Sequence, residues 1–313
     1  MVACNSHSSL GAENKMDGNK KKVYIIFSID TEHDLAANYS TLTAGWTKGI
    51  PWLCESFDAL GIKGKVCWLI EYNLKEGIPA GNPNSKYFVK ELPELIERIK
   101  TRGDELGIHP TMYDWIGKEQ QVTVASYVDN DSWDMERSYH DPEFVMDLIT
   151  SATKAVKAIS GVDPVGCRTG AFHYATCLVT ALEKNGIILD SSIFKGPKQF
   201  VPVPNAYYAS KEDIRRKSTL KTGVLEIPTI GFMKLNIKNL LMRIRAEYLL
   251  RLNHPIFLSI MIHNWDVITS NGAKNDYFLK KLNSFISLFR KRGACFLSWM
   301  EAKQTFDAIY GTK

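Results

Sequence analysis

The sequence predicts an α/β fold, a parallel sheet with crossover helices arranged as a (β/α) barrel, and three observations carry that reading. Short apolar runs alternate with longer segments of helical period, the pattern of strands joined by helical crossovers. Eight such runs, each of strand length, follow a polar opening segment. Their last residues include Asp30, His109, Arg168, Asp190 and His263, all ionisable. In a (β/α) barrel all strand C-termini open on one face, so residues far apart in sequence gather there.

Residues 1 to 22 are rich in Asn, Ser, Gly and Lys and have no apolar run, so they read as a flexible tail. The strand-like runs are Val23 to Asp30, Lys65 to Glu71, Asp104 to His109, Pro164 to Arg168, Ile187 to Asp190, Val224 to Ile227, Ile256 to His263 and Ala294 to Ser298. The best helix is Pro142 to Ser160, where Phe144, Val145, Leu148, Ile149, Ala152, Val156 and Ile159 make one apolar stripe. Asp141 suits its N-cap, Pro142 its first position and Gly161 the residue past its end. A second stripe, Leu279, Leu282, Phe285, Ile286 and Phe289, stops at Gly293. A third, Leu240, Leu241, Ile244, Tyr248 and Leu249, precedes the turn at Asn253 to Pro255. Two connections, Pro110 to Asp141 and Ser191 to Thr222, are long for an α/β unit and are expected over the active site. No linker or repeat divides the chain after residue 22, so residues 23 to 313 are expected to form one domain.

With 313 residues, 45% of them hydrophobic and 23% charged, the composition is that of an ordinary globular protein with ample core. The net charge of +5 is modest and the basic residues are scattered, which argues against nucleic acid as a partner. The longest apolar stretch, Pro255 to Ile262, is far shorter than the roughly 20 residues of a membrane helix, and no secretory apolar region is visible, so a cytoplasmic enzyme is expected. The six cysteines are dispersed without a CxxC pair and read as reduced core residues.

The chemistry is densest where the first strand runs into Asp30, Thr31, Glu32, His33 and Asp34. Side chains alternate along an extended chain, so Asp30 and Glu32 project to one side as two oxygen donors aimed at one point, an arrangement that suits a metal or a proton. Trp265 and His173 lie in predicted loops on the same face, where an aromatic ring can stack on a sugar and an imidazole can contact substrate. Glu226 ends another run and is a candidate for binding sugar hydroxyls.

Taken in order, FSIDTEHD at the first strand, DELGIHP after the third, GCRTGAF after the fourth, ILDSSIF after the fifth, VLEIP and LSIMIHNWD resemble the motifs of the polysaccharide deacetylases, the NodB-homology fold of carbohydrate esterase family 4. The resemblance spans residues 23 to about 300. It implies a distorted (β/α)7-8 barrel and metal-dependent hydrolysis of an N-acyl group, acetyl or formyl, from an amino sugar. It further implies Asp30 as the base that takes a proton from the attacking water, and Glu32 and His109 as metal ligands. Arg168 would orient the base, Asp190 would stand behind the acid histidine, and His263 would protonate the leaving amine. The family's second histidine, four residues after the first, is replaced here by Tyr113. Asp114 is one candidate for the missing ligand; His33, His140 and Asp34 are others, and the sequence does not choose among them.

An amide is a poor electrophile with a poor leaving group, so its hydrolysis benefits from a Lewis acid, an activated water and a proton donor. A histidine and carboxylate site suits Zn2+, the family-weighted choice, and also cobalt, nickel, manganese or iron. The expected substrate is a nucleotide-linked, lipid-linked or free N-acylated sugar met inside the cell, as in surface polysaccharide biosynthesis. Two rivals stand beside this reading: a carbohydrate-binding protein that has lost its metal, and a metal-independent glycosidase using a carboxylate pair such as Glu32 and Glu226.

Overall fold

The structure, a computed structural model, describes residues 23–33, 43–74, 76–111, 141–170, 176–192, 207–210, 221–227, 229–232 and 255–311. The chain opens with β1 (Val23–Thr31), a π-helical turn (Gly45–Gly49), α1 (Ile50–Ala59), β2 (Val66–Tyr72), α2 (Leu92–Thr101) and β3 (Glu105–Pro110). It continues through α3 (Pro142–Ser160), β4 (Gly166–Cys167), α4 (Thr176–Lys184), β5 (Leu189–Asp190), β6 (Tyr207–Ser210), β7 (Lys221–Glu226) and β8 (Thr229–Phe232). It ends with β9 (Ile256–His263), α5 (Asp276–Lys291), β10 (Cys295–Leu297) and α6 (Trp299–Tyr310).

Every run expected to be a strand is one. Two more, β6 and β8, are short strands that the apolar pattern did not mark. The strands form one sheet in the order β6-β7-β5-β4-β3-β2-β1-β9-β8, with β10 added on β1. All pairings are parallel except β6 with β7. The sheet curls into an incomplete barrel: among the described residues no ladder joins β7 to β8, and the gap is bridged from the end of β5, where Ser191 Oγ donates to the Ile227 carbonyl (2.7 Å) and meets Thr229 Oγ1 (2.8 Å). This is the distorted barrel expected.

Both faces of β1 are buried along its whole length, which is why it reads as a continuous apolar run rather than an alternating one. Val23, Ile25, Phe27 and Ile29 face outward and pack with helix residues such as Leu53, Phe57, Leu148, Leu282 and Ile286. Burial of each such large side chain contributes about 1.5–3 kcal/mol. Tyr24 and Ile26 face inward and meet Cys67, Leu69, Leu189, Leu225 and Phe257.

The floor of the barrel is closed by α6, whose Trp299, Ala302 and Phe306 belong to that inner cluster. Glu105, at the start of β3, accepts hydrogen bonds from Ser298 Oγ and from the Trp299 and Met300 amides, so it caps the plug's first turn. Gly166 is required here, because a Cβ on it would lie 2.0 Å from the Trp299 ring. Helix α3 has the ends its sequence predicts: the Asp141 side chain accepts from the Glu143 and Phe144 amides, and Gly161 is left-handed with φ of 74°. Ile159, counted in its stripe, is exposed. The helix expected around Leu240 to Leu249 lies outside the described residues, as does most of both long connections.

Candidate functional site

With the floor plugged, the open end of the barrel is where polar side chains can collect. Inward-facing positions on β1 continue from Ile26 to Ser28 and Asp30, and Arg168 reaches across to both. Its Nη1 donates to Asp30 Oδ1 at 2.6 Å. Nη2 donates to Ser28 Oγ (2.7 Å), Thr229 Oγ1 (3.1 Å) and Ser191 Oγ (3.2 Å), and Nε to the Ser191 carbonyl (3.2 Å). Arg168 is 1% and Asp30 2% exposed, so the charges are compensated within the protein rather than by bulk water. A buried pair with all three guanidinium nitrogens engaged fixes the guanidinium, and through it the carboxylate, in one geometry.

Glu32 stands one step further along the same side, between two imidazoles. Its Oε2 is 3.3 Å from His109 Nε2 and its Oε1 is 3.3 Å from His263 Nε2. Burial alone would raise the Glu32 carboxyl's pKa. The hydrogen bonds and charges of His109 and His263 outweigh it and hold the group well below the usual carboxylate range. Burial also opposes the cationic form of both histidines, and the acids around them win. Asp30 and Glu32 raise His109, while Asp266 and Glu32 push His263 up to about 10.

The second nitrogen of each ring fixes its orientation. His109 Nδ1 donates to the Arg168 carbonyl at 2.7 Å, so in the neutral ring the Nε2 lone pair faces Glu32. Two acceptors 3.3 Å apart call for a proton or a cation between them, which is the donor set of a divalent metal site. Among the described residues no group of three or more His, Cys, Asp and Glu side chains converges on one point, and Glu32 and His109 could supply only part of such a shell. Asp114, His140 and Asp34, each a candidate to complete it, lie outside the described residues, and so does His173. His33 is engaged elsewhere: its Nδ1 lies 2.6 Å from Glu71 Oε2 and its Nε2 3.2 Å from the Tyr87 carbonyl.

Asp190 does not lie beside His263, where the resemblance would put it. Leu189 and Ser191 face the barrel interior, so Asp190 between them turns to the outer face, and so does its register partner Glu226. Asp190 Oδ1 accepts from Ser192 Oγ (2.6 Å) and the Ser192 amide (3.2 Å), and its carboxyl interacts with that of Glu226. Burial pushes the Asp190 carboxyl above its ordinary value. The carboxylate beside His263 Nδ1 is Asp266, at 3.5 Å, which also accepts the His263 amide at 2.9 Å. Glu226 is fully buried on that outer face, opposite to Glu32, so these two carboxylates do not flank one bond. Trp265 lies parallel to His263, ring centroids 4.4 Å apart, so one of its faces covers the histidine.

Sequence reasoning passed over Glu71, Asp266 and the hydroxyls of Ser28, Ser191 and Thr229. Glu71 also ends a strand-like run, and Asp266 follows His263 at a spacing that a turn brings back on the ring, so both signals were present. The hydroxyls gave none, because isolated Ser and Thr in apolar runs are commonplace.

No family model and no curated protein matches the chain. The fold, however, recurs in solved structures. PuuE allantoinase has a TM-score of 0.59 at 15% identity, over 95% of this chain and 94% of its own. A probable polysaccharide deacetylase from Pseudomonas aeruginosa PAO1 gives 0.58 at 15% identity, over 95% and 94%. A protein from Mycobacterium smegmatis assigned as a polysaccharide deacetylase gives 0.56 at 13%, over 93% and 92%. At these identities the likeness is one of fold: the chain has the (β/α) barrel of the polysaccharide deacetylases.

Proposed function

We propose that this chain is a metal-dependent hydrolase that removes an N-acyl group, acetyl or formyl, from an amino sugar. The observation that carries the reading is the Glu32 carboxylate set between His109 Nε2 and His263 Nε2, beside the buried Asp30–Arg168 pair. The fold shared with deacetylase structures supports it.

Glu32 and His109 would hold a divalent ion, with Zn2+ favoured by the nitrogen and oxygen donors and Asp114 a further ligand. Such an ion polarises the acyl carbonyl and acidifies a water. The chain's own residues do the rest. Asp30 Oδ2, the oxygen not taken by Arg168 Nη1, accepts the proton of the attacking water. Arg168, 2.6 Å from Asp30 Oδ1, holds that carboxylate in place. His263 Nε2 donates a proton to the leaving nitrogen, which must depart as an amine, and Asp266 holds the far side of the ring. Trp265 covers the imidazole and limits water at the proton donor.

The substrate we favour is a nucleotide-linked, lipid-linked or free acylated sugar. No helix among the described residues is long and apolar enough to cross a membrane. A second reading, hydrolysis of a non-sugar amide, uses the same proton donors and acceptors and is supported by the likeness to an allantoinase.

Acetate or formate release from acylated amino sugars tests the proposal. Asp30→Asn is expected to lower kcat about 10²- to 10⁴-fold, the range for loss of a general base, with metal content retained, whereas His109→Ala is expected to lose metal. Unchanged turnover in Asp30→Asn removes its role as base, and full metal occupancy in His109→Ala moves the metal elsewhere.

A further inference from the structure

We infer that His33 and Glu71 form a buried latch that aims Glu32 at the two histidines, an inference that rests on the reading of Glu32 as the centre of the site. The ladder between β1 and β2 stops at Thr31 and Ile70, one residue short of Glu32. Thr31 closes it with a hydroxyl donated to the Leu69 carbonyl at 2.7 Å. Beyond that point the chain is held through His33, whose amide (3.2 Å) and Nδ1 (2.6 Å) both meet Glu71 Oε2. Nε2 reaches the Tyr87 carbonyl at 3.2 Å, and the Tyr87 ring lies 4.3 Å away, centroid to centroid. His33, Glu71 and Tyr87 are 1%, 0% and 3% exposed.

Both ring nitrogens of His33 are therefore engaged, and the residue serves neither metal nor substrate. Its consequence falls on its neighbour. Glu32 is pinned from Thr31 on one side and from His33 on the other, and its carboxylate must sit within about 0.5 Å of one position to serve as a ligand. Glu71 is the register partner of His109, so the latch and the ligand histidine ride on adjoining strands. The latch thus sets Glu32 relative to His109 directly, and a positioning residue of this kind typically changes metal affinity about 10- to 100-fold when lost.

Removing Glu71 alone strands a buried histidine, so the informative variant replaces both partners, His33→Leu with Glu71→Leu, since apolar replacement of a buried pair is often tolerated. Glu71→Gln serves as the conservative control, because its amide oxygen still accepts from His33. The readouts are the crystal structure of the full chain, thermal stability, and affinity for Co2+ followed by its visible absorption. The double variant is expected to fold, to release the Glu32 carboxylate from the gap between the imidazoles, and to bind Co2+ about 10- to 100-fold more weakly, while Glu71→Gln keeps most of the affinity. A double variant with Glu32 still in the gap and Co2+ affinity unchanged overturns the latch. A wild-type protein that takes up no Co2+ defeats the metal reading instead, and the position of Glu32 in the double variant then decides the latch by itself. Should the double variant not fold, His33→Phe keeps the ring volume and loses both side-chain contacts, and a wild-type position of Glu32 in its crystal structure overturns the proposal.

Discussion

The two faces of the same strand ends bury their acids by opposite means. On the inner face Asp30 and Glu32 are matched by cations: Arg168 on the first, His109 and His263 on the second. On the outer face Asp190 and Glu226 have each other and Ser192. The imidazoles hold Glu32 well below the usual carboxylate range, whereas burial drives Asp190 toward its protonated form. A carboxylate that must accept a proton, or hold a metal, needs the first environment. One residue of alternation along β5 places Asp190 in the second.

The largest difference between the faces is expected when a cation is removed from the inner one. Arg168→Met leaves Asp30 buried without its partner and strips three hydroxyl acceptors of their donor, so unfolding free energy should fall by about 3–5 kcal/mol. Adding Asp30→Asn to the same chain removes the stranded charge and should recover part of that loss. Denaturant unfolding of the two variants checks this. If the double variant is as unstable as Arg168→Met, the guanidinium acts through its hydroxyl contacts, and the charge contrast between the faces disappears.

The legibility of this molecule in its sequence follows the same division. Strand positions were legible because a strand buried on both faces is a bare apolar run, and Asp30, His109, Arg168 and His263 were legible because a charge at the end of such a run is conspicuous. The faces were not legible at β5, where Ile187 to Asp190 carries no alternation from which to read direction. Only the inward turns of Leu189 and Ser191 show that Asp190 looks away from His263. β8 escaped notice because its four residues, Thr229–Phe232, contain a glycine and a register shift against β9. Glu71 and Asp266 ended or followed runs already recognised; what the sequence lacked was the partner of each, His33 across β2 and the His263 ring one turn back.

A second contrast is in pH dependence, measured on protein freed of divalent metal. His263 rises from its ordinary value to about 10 in the folded state, and His109 is raised too. The folded protein therefore binds more protons than the unfolded chain above neutrality. Stability from these groups is fully present below about pH 6.5, the unfolded histidine value, and is lost as pH rises through the folded one. Glu32 is shifted the other way, so its contribution is present above about pH 4.3, the unfolded glutamate value, and is lost only as acid overtakes its lowered folded value. Thermal melts from pH 6 to 10 should show a decline that His263→Gln flattens. A decline of equal slope in that variant would mean that Glu32 does not hold His263 charged, and the inner face would lose half of its compensation.

The smallest effect is expected on the outer face. A protonated carboxyl donates one hydrogen bond and accepts others, and an amide of the same shape can do likewise. Asp190→Asn can still offer an oxygen to Ser192 and a donor to Glu226, so the exchange is expected to change stability by less than about 1 kcal/mol, the scale of one net hydrogen bond, and to leave kcat near wild type. The variant also removes the charge that Asp190 would acquire at higher pH. Because burial raises the folded pKa of Asp190 above its unfolded value, its favourable contribution is greatest in acid and falls as pH rises through the folded value. Asp190→Asn should therefore gain relative to wild type between acid and neutral pH, the opposite sign to that expected for loss of Glu32. Urea midpoints of the two proteins at pH 4 and pH 7 read that difference directly. If Asp190→Asn instead loses stability as pH rises and turnover falls with it, Asp190 is ionised and serves the inner site through a contact with His263, and the division between the faces does not hold.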